Sequence, residues 1–182
     1  MQKVIGVIGP IAAGKDSVAT YLQDKLKINS YQISSELKDL AKEKGIPITR
    51  KNLINLSREL VSTHGDDYLA RRILNNNAEE LLIIVGMRQV GQIDYLRANY
   101  SMALIGIDAT PKARFERVKS RQKTGDPITF ESFLEIERKD DGESVQKVSD
   151  CMKQVDYLIQ NDGSTESLYL KVEEIISKEK LI

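Results

Sequence analysis

The sequence predicts an α/β fold: a three-layer parallel sheet with helices on both faces. Three observations predict it. Lys3–Ile8 (KVIGVI) is β-branched and apolar at successive positions, the pattern of a strand buried on both sides. A glycine-bounded stretch, GPIAAGK, then separates that strand from a segment of helical period. Strand and helix patterns alternate along the remaining chain, which favours parallel pairing through right-handed crossovers.

Each element has its own signal. Residues 16–27 carry Val18, Tyr21, Leu22 and Leu26 on one helical stripe. Residues 30–33 read as a short strand, after which Ser34 or Ser35 can cap a helix over 36–44, stopped by Gly45 and Pro47. Thr49 can cap the next helix, with Leu53, Leu56, Leu60 and Val61 as its apolar stripe and Gly65 past its end. Asp66 or Asp67 starts another helix. Leu81–Val85 (LLIIV) is a second strong strand, followed by a turn over 86–91 and a short helix over 92–99. Residues 102–107 (MALIGI) form a third. Thr110 as cap and Pro111 at the first position open a helix to about 123, which Gly125, Asp126 and Pro127 break. Helices over 130–139 and 143–154, the strand Tyr157–Gln160, a turn over 161–163 and a closing helix over 164–178 complete the chain. Residues 1–182 read as a single domain, and the helical excursion over about 112–153 exceeds what one crossover requires, so it is expected to carry a lid.

Composition excludes several function classes. Lys plus Arg number 27 and Asp plus Glu 27, so the net charge is +0; an unspecific nucleic-acid or anionic-membrane binder would carry excess positive charge. No nucleic-acid and no membrane partner is expected. There is no Trp, and one Cys with one His supports neither a disulfide nor a Cys/His zinc site. Cytoplasmic residence fits that cysteine usage. Cys151, among Val148, Met152 and Val155, reads as a core residue, and His64 as a helix-end residue. Neutrality is an average: Lys112, Arg114, Arg117, Lys119, Arg121 and Lys123 form a basic run, and Glu131, Glu135, Glu137, Asp140, Asp141 and Glu143 an acidic one.

The chemistry concentrates in the loop after the first strand. Gly9, Pro10, Ile11, Ala12, Ala13, Gly14 and Lys15 match G-x-x-x-x-G-K between a strand and a helix. Glycines let backbone N–H groups converge on phosphate, the following helix points its positive end at the same anion, and Lys15 adds a point charge for the β- and γ-phosphates. Asp16 stands where Ser or Thr usually reaches Mg²⁺, with Ser17 next. Its carboxylate can ligate Mg²⁺, directly or through water, and can equally serve as a helix cap.

The GKD loop at the end of a first strand resembles the small-molecule P-loop kinases of the nucleoside-monophosphate-kinase type, including phage deoxynucleoside monophosphate kinases and animal phosphomevalonate kinase. Residues 156–176 (DYLIQNDGSTESLYLKVEEII) resemble the C-terminal segment of dephospho-coenzyme A kinases. That likeness implies that Asn161, Asp162 and Gly163 lie on the adenine side of ATP. Val85-Gly86-Met87-Arg88 resembles the D-G-x-R turn of monophosphate kinases, which implies that Arg88 holds the acceptor phosphate. Val85 replaces the Asp that would help to hold Mg²⁺, so metal binding would rest more on Asp16 with Ser17, or on acids such as Asp66 and Asp67. Arg114, Arg117 and Arg121 share one helix face. They read either as a solvated basic face or, by resemblance to the monophosphate-kinase lid, as arginines closing over the transferred phosphate, with Arg117 and Arg121 favoured.

The resemblance implies a P-loop NTPase fold with a helical lid, using ATP and Mg²⁺ to phosphorylate a nucleoside monophosphate or dephospho-coenzyme A, as a monomer or homodimer. Lys15, Arg88, Arg117 and Arg121 are the expected catalytic residues. Ser34, Asp66, Asp67, Arg71 and Arg88 are the expected acceptor contacts, although Asp66 and Asp67 read equally as helix caps. A nucleotide-binding ATPase or switch without a small acceptor is the alternative that Val85 keeps open.

Overall fold

A computed structural model describes residues 2–121, 127, 129–142 and 147–180. Five strands form one sheet: β1 (Lys3–Ile8), β2 (Ser30–Gln32), β3 (Leu81–Val85), β4 (Ser101–Asp108) and β5 (Tyr157–Gln160), in the order β2-β3-β1-β4-β5. Every pairing is parallel; Val7 lies opposite Val85, and Ile8 opposite Gly106. The first strand is therefore central, and the chain leaves its C-terminal end where the neighbouring strands run off to opposite sides, the place where open α/β sheets bind ligands.

Alternation along the strands builds two cores. Val4, Ile8, Leu82, Ile84 and Leu104 face α2 (Ile33–Glu43), α3 (Arg50–His64), α4 (Tyr68–Asn75) and α5 (Val90–Asn99). Ile5, Val7, Ile83, Val85, Ile105 and Ile107 face α1 (Lys15–Leu26) and α9 (Thr165–Lys178). The outcome is the three-layer architecture that both-face burial of the strands requires. A small third cluster, Phe115, Val118 and Phe133, joins α6 (Pro111–Arg121) to α7 (Phe130–Gly142) and packs on Ile11 and Ala12 of the glycine-bounded loop. The excursion closes with α8 (Val148–Met152). Gly125 and Asp126, expected to break the helix opened by Pro111, lie outside the described residues, as do residues 143–146 of the helix expected over 143–154.

Most expected boundaries hold within a residue or two; α7 runs on to Gly142 rather than ending at Lys139, and α8 is Val148–Met152 within the stretch expected as a helix over 143–154. Helix α2 begins at Ile33, so Ser34 and Ser35 lie in its first turn rather than capping it. Ile33 is buried at 6% exposure, and its packing outweighs the cap preference of the serines. Helix α5 starts at Val90 because its amide Gly91 N donates to Asp66 Oδ2 at 3.1 Å, a capping contact from 25 residues away that no local pattern announces. Thr49 does cap α3, accepting from Asn52 N at 3.2 Å. No helix among the described residues is long and apolar enough to cross a membrane.

Candidate active site

The loop after β1 is shaped as an anion cradle. Gly9, Ala12 and Gly14 have φ of +151°, +58° and +111°, and Gly14 is the N-cap of α1 without any side-chain cap. The first amides of α1 thus lack a side-chain acceptor, as a phosphate seat requires. A Cβ on Gly9 would lie 2.0 Å from the Ile107 carbonyl oxygen, so the loop leaves the sheet by a path that only glycine permits. Lys15 Nζ donates to the Pro10 carbonyl at 2.7 Å, curling over the cradle that it would serve.

Positive charge gathers around that lysine. Burial pushes the Lys15 ammonium down to a pKa of about 8, helped by the Arg88 guanidinium and more weakly by Arg114 and Arg121, while Asp16 opposes. Below about pH 8 Lys15 is charged whether or not an anion is bound, so ADP affinity is flat there. Above it, a bound phosphate raises the lysine pKa, binding takes up a proton, and affinity falls by about tenfold per pH unit. Calorimetric ADP titrations from pH 7 to pH 10 check this. An affinity unchanged across the range contradicts it.

Three side chains brace the loop from outside. Arg114 is buried; it donates to the Ala109 and Ile11 carbonyls at 2.9 and 3.3 Å, pairs with Glu137, and sits 5.5 Å over the Phe133 ring. Arg117 donates to Ala12 O and Ala13 O at 3.3 Å each, and to Asn161 O at 2.6 Å. Asn161, 7% exposed, donates from Nδ2 to Ala13 O at 2.7 Å. Asp162 ties the turn after β5 to the start of α6, accepting from Thr110 N and from Gln160 Nε2. A Cβ on Gly163 would meet Ser167 at ordinary van der Waals distance.

Two clefts meet at Arg88, and one of them opens on the loop. One, of about 490 Å³, is lined by Gly9, Pro10, Ile11, Arg88, Asp108 and Arg114, with Glu137 and Arg138 farther along α7. The other, of about 410 Å³, lies among α2, α3, α4 and the turn after β3, with Ile33, Leu37, Leu53 and Leu69 as apolar lining and Ser34, Lys38, Arg50, Arg88, Gln89 and Gln92 as polar groups. Arg88 belongs to both. Gln92 fixes the turn that carries it: Oε1 accepts from Arg88 N at 3.0 Å, and Nε2 donates to Gln89 Oε1 at 3.1 Å.

The structure therefore brings Ser34 and Arg88 to one cleft and Arg88 to the loop. It places Asp66, Asp67 and Arg71 elsewhere: Asp66 meets Gly91 N, while Asp67 pairs with Arg71, which also donates to His64 O. These three expected acceptor contacts hold a helix junction together. Asn161, expected beside adenine, is turned inward onto the loop backbone. Val85 is buried at 2% against α1 and α9, so the position where a carboxylate was expected faces core. Sequence reasoning missed Asp108 and the Gln89–Gln92 pair, and it set Arg114 behind its neighbours. Glu137 is 23 residues away, and only the fold shows that it pairs with Arg114.

A parallel sheet of this order, with a glycine-bounded cradle on its central strand and cations above it, is the fold of P-loop kinase-like proteins. The chain belongs to the AAA domain family, whose profile matches residues 5–146. It is 27% identical to a UPF0200 protein of Methanococcus maripaludis over 168 residues, 90% of either chain. Its fold is similar to that of a shikimate kinase from Bacteroides thetaiotaomicron (TM-score 0.58, 12% identity, 98% of each chain). It is also similar to that of a sugar kinase from Janibacter (TM-score 0.57, 14% identity, 100% of this chain and 96% of the other).

Proposed function

We propose that the chain is an ATP-dependent phosphotransferase that moves the γ-phosphate of ATP to a small, anionic, nucleotide-like acceptor. The observation that carries this reading is the double membership of Arg88, which lines the cleft at the phosphate loop and also the apolar cleft beside it. Phosphoryl transfer is mostly positioning and charge neutralisation, and a cation shared between donor and acceptor sites supplies both. Lys15 and the loop amides hold the ATP phosphates. Arg88 orients the acceptor, whose own oxygen is the nucleophile, and Arg121 adds charge from the end of α6. The apolar walls suit a flat acceptor body, with Ser34, Lys38 and Arg50 at its rim.

Coupled ADP-release assays over nucleoside monophosphates and dephospho-coenzyme A test the reading. One acceptor is expected to stimulate release at least tenfold. Arg88→Ala is expected to raise the KM for it by about 10- to 100-fold, the worth of a charge-assisted hydrogen bond. Absence of stimulation by every acceptor overturns the proposal.

Mg²⁺ fits the donor set. Among the described residues no three His, Cys, Asp or Glu side chains cluster as metal ligands. Mg²⁺ suits such a place, because it keeps several waters and takes its other ligands from substrate phosphates. Asp16 and Ser17, exposed in the first turn of α1, would hold it, and it would supply neutralisation of phosphate charge. Without the metal the Asp16 carboxylate repels triphosphate. Asp16→Asn is therefore expected to tighten metal-free ATP binding severalfold and to weaken the gain on adding Mg²⁺. Equal Mg²⁺ gains for the variant and the parent protein contradict that role.

A further inference from the structure

We propose that Asn161 and Arg117 are positioning residues that aim the phosphate loop, rather than groups that touch the transferred phosphate. The proposal rests on the phosphate-loop reading above. In a trans peptide the carbonyl and the following N–H point in opposite directions, so fixing one aims the other. Ala13 O is held by two donors, Asn161 Nδ2 at 2.7 Å and Arg117 Nη1 at 3.3 Å. The N–H on the same peptide belongs to Gly14, the N-cap of α1, and it is thereby aimed away from both donors and into the cradle. Arg117 holds Ala12 O in the same way. That peptide's own N–H, on Ala13, closes the turn onto Pro10 O at 3.3 Å.

The brace is itself anchored. Asn161 N donates to Asp108 O at 2.7 Å, which ties the turn after β5 to the end of β4. Asn161 O receives the second nitrogen of Arg117 at 2.6 Å. Gly14 packs so closely that a Cβ there would lie 2.5 Å from Asn161 Nδ2. The carbonyl oxygens of Ala12, Ala13 and Asn161 thus converge on one guanidinium, which offsets their negative ends beneath an anion site. Arg117 occupies α6 and Asn161 precedes α9, so the loop geometry is set jointly by the lid helix and the closing helix. A carbonyl left unpaired there would turn towards solvent and carry the Gly14 N–H out of line.

ADP is the discriminating probe, because it has no γ-phosphate. Arg117→Ala is expected to weaken ADP binding by tenfold or more in calorimetric titration. A role on the transferred phosphate instead leaves ADP affinity unchanged and lowers turnover alone, and that result overturns the proposal. Asn161→Asp supplies a second arm. Its ionised carboxylate cannot donate to Ala13 O and repels it, whereas the protonated form can donate. This variant is expected to bind ADP at least tenfold more weakly than the parent protein at pH 8, and the gap is expected to narrow as pH falls through the carboxyl pKa, each affinity being compared with the parent's at the same pH because ADP itself gains a proton at about pH 6. Parent-like affinity at every pH overturns the proposal. Circular dichroism shows whether the variant folds; if it does not, the Arg117→Ala titration decides. Failure of the parent protein itself to bind ADP is a separate result, and it counts against the phosphate-loop reading.

Discussion

Lys15→Ala is expected to lower turnover of ATP by about 100- to 1000-fold, the usual cost of removing one preorganised charge from a transition state. Lys15 sits at the N-terminus of α1, with its ammonium over the cradle and bonded to Pro10 O at 2.7 Å. The loop keeps its shape without it, since Arg114, Arg117 and Asn161 hold the Ile11, Ala12 and Ala13 carbonyls. Thermal stability should therefore change little. It should even rise slightly near neutral pH, because a partly buried ammonium whose pKa is pushed down to about 8 disfavours the folded state below that pH. Steady-state kinetics and melting curves read the two effects separately. Retained turnover contradicts the assignment, and a large fall in melting temperature shows that Lys15 is structural.

Gly9→Ala is expected to act oppositely, through the fold. The added Cβ would meet Ile107 O at 2.0 Å, and neither partner can swing aside, because both are backbone at the ends of β1 and β4. The φ of +151° adds strain for any L side chain. Overpacking and strain together cost about 3 kcal/mol or more, which for a domain of this size lowers Tm on the order of 10 °C. Gly14→Ala differs. Its φ of +111° strains an alanine as well, but its clash is with a side-chain amide, Asn161 Nδ2 at 2.5 Å, which can move at the expense of its bond to Ala13 O, whereas Gly9 meets backbone that cannot. That variant is expected to lose nucleotide affinity more than stability. Melting and ADP titration of the two variants side by side check the contrast, and equal loss of stability in both contradicts it.

Local signals carried far into the fold and stopped short of the site's wiring. Lys3–Ile8, Leu81–Val85 and Tyr157–Gln160 were legible to the residue, because apolar runs flanked by turn residues report burial directly. The loop was legible because it must be glycine-bounded and must follow a strand. The neighbours of Arg117 were not. A 3-4 spacing places it on a face with Arg114 and Arg121 but does not say whether that face meets solvent, phosphate or backbone. The deciding partners come from Ala12, Ala13 and Asn161, more than 40 residues away. Asp66 and Asp67 show the same limit: acids at a helix start read alike whether they cap, pair or bind, and here Asp66 caps another helix and Asp67 pairs with Arg71. Val85 was legible as a departure from the D-G-x-R pattern, and its burial against α1 explains why a carboxylate there would be costly.

The proposed reaction passes a phosphate from ATP on this loop to a small molecule. Tracing the γ-phosphate tests it most directly: the protein is incubated with ATP labelled at that position, Mg²⁺ and the acceptor that best stimulates ADP release. Label is expected in a new phosphorylated small molecule, formed in step with ADP, with little label in inorganic phosphate and none of the new product from Lys15→Ala. Label found only in inorganic phosphate, at a rate that the acceptor does not change, would contradict it.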